Sequence, residues 1–140
     1  MEAVWSLHPQ LERDTVPVGD LALSRVLAID DADYPWLVLV PRRAGAVEIA
    51  DLGDAATLLM AEIAQVSRVL KDVAHCDKLN IAAIGNVVPQ LHVHIVARRK
   101  DDPLWPKPVW GLAQSRSGEP AAFLRFITAI RNDLGLPVAG

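Results

Sequence analysis

Gln90-Leu91-His92-Val93-His94-Ile95-Val96 sets two imidazoles and one carboxamide at alternate positions of an otherwise apolar run. In an extended strand successive side chains point to opposite faces and rise by about 3.3 Å per residue, so Gln90, His92 and His94 stand in one row, roughly 6.6 Å from one to the next. Leu91, Val93 and Ile95 face the other way, into a core. Three aligned polar side chains on so apolar a strand mark a face that meets solvent, a ligand or a metal, and the row is a candidate site.

Working outward, Leu79 to Ile84 reads as a strand, and Gly85-Asn86 as a tight turn or bulge ahead of the strand Leu91 to Ala97. Leu21 to Ile29 and Trp36 to Val40 form a β-hairpin interrupted by Asp30-Asp31-Ala32-Asp33, and Pro41 to Gly45 closes its second strand. From Asp54 the apolar residues Leu59, Ile63, Val66, Leu70 and Val73 recur in steps of four and three. That spacing predicts a long helix whose apolar face covers a sheet, with Asp51 or Asp54 to cap it. Pro120 to Leu134 carries a second stripe, Phe123, Phe126, Ile127, Ile130 and Leu134, with Gly135 as its C-terminal cap. Residues 101–118 hold Pro103, Pro106 and Pro108 around Trp105 and Trp110, too many prolines for helix or central strand, and read as a folded-down loop. Residues 1–19 read as an irregular arm with one helical turn, because Asp14, Thr15, Pro17 and Gly19 supply turn chemistry. The short connections favour an antiparallel meander, and the fold class is α+β with one long central helix and one C-terminal helix.

The 140 residues, 51% of them apolar, suffice for one domain with a core, and 1–140 is taken as a single unit. Fourteen basic against seventeen acidic residues give a net charge of −3. This excludes a broadly basic nucleic-acid surface while permitting a local pocket for a small anion. A lone cysteine, Cys76, excludes an internal disulfide, and no Lys/Arg-led apolar segment like a signal peptide opens the chain. No apolar run approaches the roughly eighteen residues of a membrane span. The expectation is a cytoplasmic protein.

The segment Gln90 to Val96 resembles the signature of the histidine triad (HIT) superfamily, His-x-His-x-His-x-x with apolar x. His92 occupies the middle position, His94 the third, with Ile95 and Val96 following, while Gln90 stands at the first. Gly85-Asn86 lies where many members carry Gly-Gln, and Trp36 to Arg43 resembles the apolar strand of the family that runs into Pro-Lys or Pro-Arg. Trp36 and Ala44 replace histidines that flank that strand in many members. The resemblance spans Leu21 to Arg98.

The resemblance implies a HIT-like fold in which the middle histidine, His92, attacks a nucleotide α-phosphate and carries the nucleotidyl group covalently. The family holds that imidazole through the main-chain carbonyl at the first triad position, here Gln90, so the orientation does not depend on the missing histidine. His94 would donate to a phosphate oxygen and, protonated, favour an anion. Gln90 would bond a phosphate or the leaving group but cannot act as an acid. Gly85 and Asn86 would lie near the phosphates and Asp30 or Asp31 near the ribose hydroxyls, with turn solvation the plainer reading of those two carboxylates. The implied reaction is hydrolysis of a nucleoside phosphoramidate or a dinucleoside polyphosphate, with water as acceptor, or transfer to phosphate. A nucleotide-binding module with little or no turnover is the alternative that Gln90 keeps open. The implied partners are a purine nucleotide and a second copy of the chain, paired through the long helix and an edge strand. No cofactor is called for. Zinc is disfavoured because His75 and Cys76, adjacent on a helix, point about 100° apart. His8 and His75 read as incidental surface residues, Arg42 and Arg43 as a solvated strand end. Trp105 and Trp110 read as packing residues before they read as a stack for a purine.

Overall fold

Period-two burial in the strands is the organising pattern of the computed structural model, which describes residues 3–114 and 116–137. Strands β1 (Val16–Asp20), β2 (Ser24–Ala28), β3 (Trp36–Pro41), β4 (Lys78–Ala82) and β5 (Val93–Arg98) pair antiparallel throughout. Their order in the sheet is β1-β2-β3-β5-β4. The first three follow each other directly, whereas β5 enters between β3 and β4, so the histidine-bearing strand sits inside the sheet rather than at its edge. The remaining elements are helices α1 (Pro9–Asp14), α2 (Ala55–Ala74) and α3 (Pro120–Asp133) and a 3₁₀ turn at Ile49–Leu52. Among the described residues no helix is long and apolar enough to cross a membrane.

Alternate residues of the strands go to two separate cores. Val26, Leu37, Leu39, Val93 and Ile95 join Leu59, Ile63, Val66 and Leu70 of α2 and Ile127 and Ile130 of α3 on one face. Leu27, Trp36, Val38, Val40 and Val96 face the opposite way, under Leu11, Tyr34, Val88 and Val109. The α2 stripe read from sequence is therefore the packed one. It also contains the buried Glu62, whose two carboxylate oxygens accept from Leu23 N (2.8 Å) and Ser24 N (2.9 Å) and so satisfy backbone donors at the start of β2.

Two helix ends differ from expectation. Neither Asp51 nor Asp54 caps α2 through its side chain. Asp54 makes no such bond, and the Asp51 carboxylate instead accepts from Val47 N and Glu48 N, which holds it below the ordinary carboxylate range. The other end of α2 closes on His75, whose backbone turns left-handed at φ 52°. Gly135 does end α3 as expected, at φ 69°, with Leu136 N bonding back to Arg131 O at 3.0 Å.

Residues 3–19 are more ordered than their composition suggests. Pro9 opens α1 with its fixed φ, and His8, taken from sequence as incidental, is the N-cap: its Nδ1 accepts from Gln10 N at 3.0 Å. Val16–Asp20 is an edge strand, where Pro17 is tolerated and the register slips between Pro17 and Gly19. Gly19 packs closely on Leu136: a Cβ there would lie 2.9 Å from Leu136 Cδ1 and make that side chain shift.

The proline-rich loop folds down onto the second face around Arg98, which is 1% exposed. Its Nε and Nη2 donate to the two oxygens of Asp102 at 2.8 and 2.9 Å, and Nη1 donates to Asn80 Oδ1 and to Lys107 O. The guanidinium also lies 5.4 Å over the Tyr34 ring and 5.7 Å over Trp105. Asp102 accepts in addition from Leu104 N and Trp105 N, so one buried ion pair shapes the turn that carries Trp110 back to the sheet.

Candidate active site

His92 lies immediately before β5 and is 7% exposed. Its Nδ1 is 2.7 Å from the main-chain carbonyl of Gln90. A carbonyl only accepts, so that nitrogen carries the proton and Nε2 keeps a bare lone pair. Leu91, Val93 and Ile95 enter the helix-side core, which leaves His92 and His94 on the other face with ring centroids 5.0 Å apart at 69°.

His94 is oriented by a neighbour on β3. The register pairs Val38 with His94 and Trp36 with Val96, which makes Trp36 the diagonal neighbour of His94 across the ladder. The Trp36 indole Nε1 donates to His94 Nδ1 at 3.0 Å. Indole nitrogen is a donor only, so His94 Nδ1 is the acceptor and its proton resides on Nε2. Burial, with His92 nearby as the smaller cause, pushes the His94 pKa down to about 4. The imidazole is neutral at pH 7, without the charge that a protonated His94 would bring to an anion. What it offers instead is an aimed Nε2–H.

Gln90 is turned away from this pair. Its Oε1 accepts from His8 N at 2.8 Å and its Nε2 donates to Ser6 O at 2.9 Å, so the carboxamide is used at both ends to tie the N-terminal arm across the start of β5. The side chain expected to bond a phosphate or leaving group holds main chain instead, because residues 6–8 present a donor and an acceptor at amide spacing.

A cleft of about 590 Å³ is lined by Asp30, Asp31, Trp36, Trp110, Ile29 and Arg13 among others, and it meets His94 through the two tryptophans. Neither histidine lines it. Trp36 and Trp110 form the shared wall, each ring centroid 5.8 Å from that of His94 and 6.4 Å from the other. Trp110 Nε1 is buried without a hydrogen-bond partner among the described residues. Asp30 Oδ1 accepts from Gly118 N at 3.0 Å, and Asp31 Oδ1 accepts from Asp33 N and Tyr34 N, closing the hairpin turn. Desolvation raises the Asp31 carboxyl above its ordinary value. Asn86 is exposed at the turn after Gly85, which adopts φ 65° and leads into Val88 on the same side of the sheet.

Other candidates separate from the site. Arg42 Nη2 donates to the carbonyls of Leu21 and Ala22, fastening the β1–β2 turn rather than facing a phosphate. His75 caps α2, and Cys76 packs against the helix-side core. Among the described residues no three His, Cys, Asp or Glu side chains are grouped to hold a metal. Sequence reasoning missed the contribution of α1, whose Arg13 and Asp14 line the cleft. The signal available for it was Pro9 following a residue able to cap.

Residues 10–101 match the family model of the HIT domain. Among solved structures, a histidine triad protein from Bradyrhizobium japonicum is 56% identical, the match covering 94% of this chain and 98% of that one with a TM-score of 0.91. One from Sinorhizobium meliloti is 38% identical over 92% and 96% of the two chains, TM-score 0.88. Another from Marinobacter aquaeolei is 34% identical over 95% and 98%, TM-score 0.90. No curated protein matches the chain.

Proposed function

The chain belongs to the histidine triad family, and from that premise we propose that it is a nucleotide-binding hydrolase that cleaves a nucleoside phosphoramidate or a dinucleoside polyphosphate at the α-phosphate through a covalent nucleotidyl group on His92. The observation that supports this most is the 2.7 Å bond from His92 Nδ1 to the Gln90 carbonyl, which leaves Nε2 as the free nucleophilic nitrogen. His94 Nε2–H is the donor for a non-bridging phosphate oxygen. A purine nucleoside would occupy the cleft beside Trp36 and Trp110, its ribose hydroxyls toward Asp30 or Asp31, with Gly85 and Asn86 at the phosphate end. Discharge to water makes a hydrolase; discharge to phosphate makes a nucleotidyl transferase.

One observation favours a second reading, a nucleotide-binding module with little turnover: the Gln90 side chain is already committed to the arm. The two readings part on AMP release from adenosine phosphoramidate and diadenosine tetraphosphate. As a hydrolase the wild type releases AMP from at least one of them and His92→Ala loses about a thousandfold or more. Tight nucleotide binding with no release and no trapped adduct establishes the module instead.

A homodimer through α2 and edge strand β4 belongs to the same reading. Met60 on α2 is 62% exposed and Ile81 on β4 is 47% exposed, apolar surface of the kind a second copy covers. Light scattering at the monomer mass would remove this part.

A further inference from the structure

Resting on the hydrolase reading above, we propose that this site gives no proton to the leaving group. Its substrates are then nucleotides whose leaving group departs as a weakly basic anion, a phosphate, polyphosphate or carboxylate, rather than as an amine. The grounds are the hydrogen-bond states of the groups around His92. Gln90 holds no acidic proton, and both ends of its amide bond the arm. His94 becomes an acid only as the imidazolium, which needs a proton on Nδ1, and that nitrogen accepts from the donor-only indole of Trp36. His8, brought to this end of the sheet by the arm, has its Nδ1 engaged in accepting from Gln10 N as the cap of α1.

Among the described residues, charged groups nearby do not replace them. Asp51, in the loop joined to Leu91 through Ala46 O, accepts two backbone N–H bonds and is held ionised. Arg42 is engaged with the carbonyls of Leu21 and Ala22. Asp14, Asp30, Asp31 and Arg13 line the cleft, beyond the wall of Trp36 and Trp110 from His94, at the end assigned to the nucleoside.

The steps balance without an acid. The His92 Nε2 lone pair forms the bond to the α-phosphorus while the bond from phosphorus to the leaving oxygen breaks, and both electrons depart on that oxygen as an anion. The Nδ1 proton stays on the ring, facing the Gln90 carbonyl, and His94 keeps its Nε2 proton while bonding a non-bridging oxygen. Water then attacks phosphorus, the P–N bond returns its electrons to Nε2, and the proton of the water passes to solvent. An amine cannot follow this course, since without protonation it would leave as an amide ion.

The test is a leaving-group series on the intact protein: phenyl esters of AMP, from nitrophenyl to unsubstituted phenyl, with adenosine phosphoramidate beside them. The expected result is a kcat/KM that falls about tenfold for each unit of leaving-group pKa. The phosphoramidate is expected to lie on the order of a thousandfold below the nitrophenyl ester, the scale that general-acid help supplies. Trp36→Phe, which frees His94 Nδ1, should flatten that slope below pH 7, a change that loss of packing alone does not produce. A flat series in the wild type, or phosphoramidate cleaved as fast as the nitrophenyl ester, overturns the proposal while leaving the hydrolase reading intact. If the nitrophenyl ester yields neither nitrophenol nor a His92 adduct, the hydrolase reading fails and this inference falls with it.

Discussion

Helices α2 and α3 cover one face of the sheet through apolar side chains recurring at steps of three and four, whereas the opposite face is covered by the N-terminal arm, α1 and the 101–114 loop, most of it without periodic structure. The first cover is held by area: Leu59, Leu70 and Ile130 are each no more than 1% exposed. The second is fastened at a few polar points, Arg98 on Asp102, Gln90 on residues 6 and 8, and Asp30 on Gly118 N. The histidines lie on that second face. A site built under irregular chain can be reshaped by changing a single tie, while the helical face keeps the strands in register beneath it.

Four experiments would break or sharpen this contrast. Asp102→Ala leaves the Arg98 guanidinium buried without its counter-charge and should cost about 3–5 kcal/mol. It should also release Trp110 from His94, visible as a shifted His94 titration by NMR. Leu70→Ala removes side-chain volume from the helix-side core and should cost about 2–5 kcal/mol, leaving the His94 titration where it was. A shift in both variants, or in neither, would mean that the two faces are not independent.

Acidification is expected to act chiefly on the site face. His94 takes its proton near pH 4 in the folded chain against 6.5 for the free side chain, so between these values the unfolded state holds more protons. The His94 contribution is thus complete above about pH 6.5 and is lost as the pH falls toward 4, up to about 3 kcal/mol in urea denaturation. His94→Asn, which cannot titrate, should remove most of that slope; an unchanged slope assigns it elsewhere. The smallest effect is expected for Gln90→Ala, about 1–2 kcal/mol from two lost hydrogen bonds. Hydrogen exchange should then quicken in residues 6–14 and not in α2.

Legibility from sequence follows the same division. The α2 stripe, the β2–β3 hairpin and the alternate facing of His92 and His94 are periodic features, and each could be read because a helix or strand repeats its geometry with every turn or residue. Strand β1 escaped because Pro17 and Gly19 are turn residues in isolation, and only its place at the sheet edge, against Leu136, makes them acceptable there. His8 escaped because a cap is defined by the backbone donor it meets. The direction of the Gln90 amide and the Trp36–His94 bond join residues 82–84 and 58 positions apart, and no local pattern announces such pairs.

By itself, then, the sequence determined which residues could carry chemistry and on which side of the strand His92 and His94 would stand, since alternation is a property of the extended backbone alone. Tertiary structure decided what each side chain faces: His92 Nδ1 a carbonyl, His94 Nδ1 an indole, the Gln90 amide an arm that crosses from the other end of the chain. The physical reason is that a hydrogen on an imidazole is placed by whatever faces each nitrogen, and the groups facing them come together only when the sheet pairs and the irregular segments close over it.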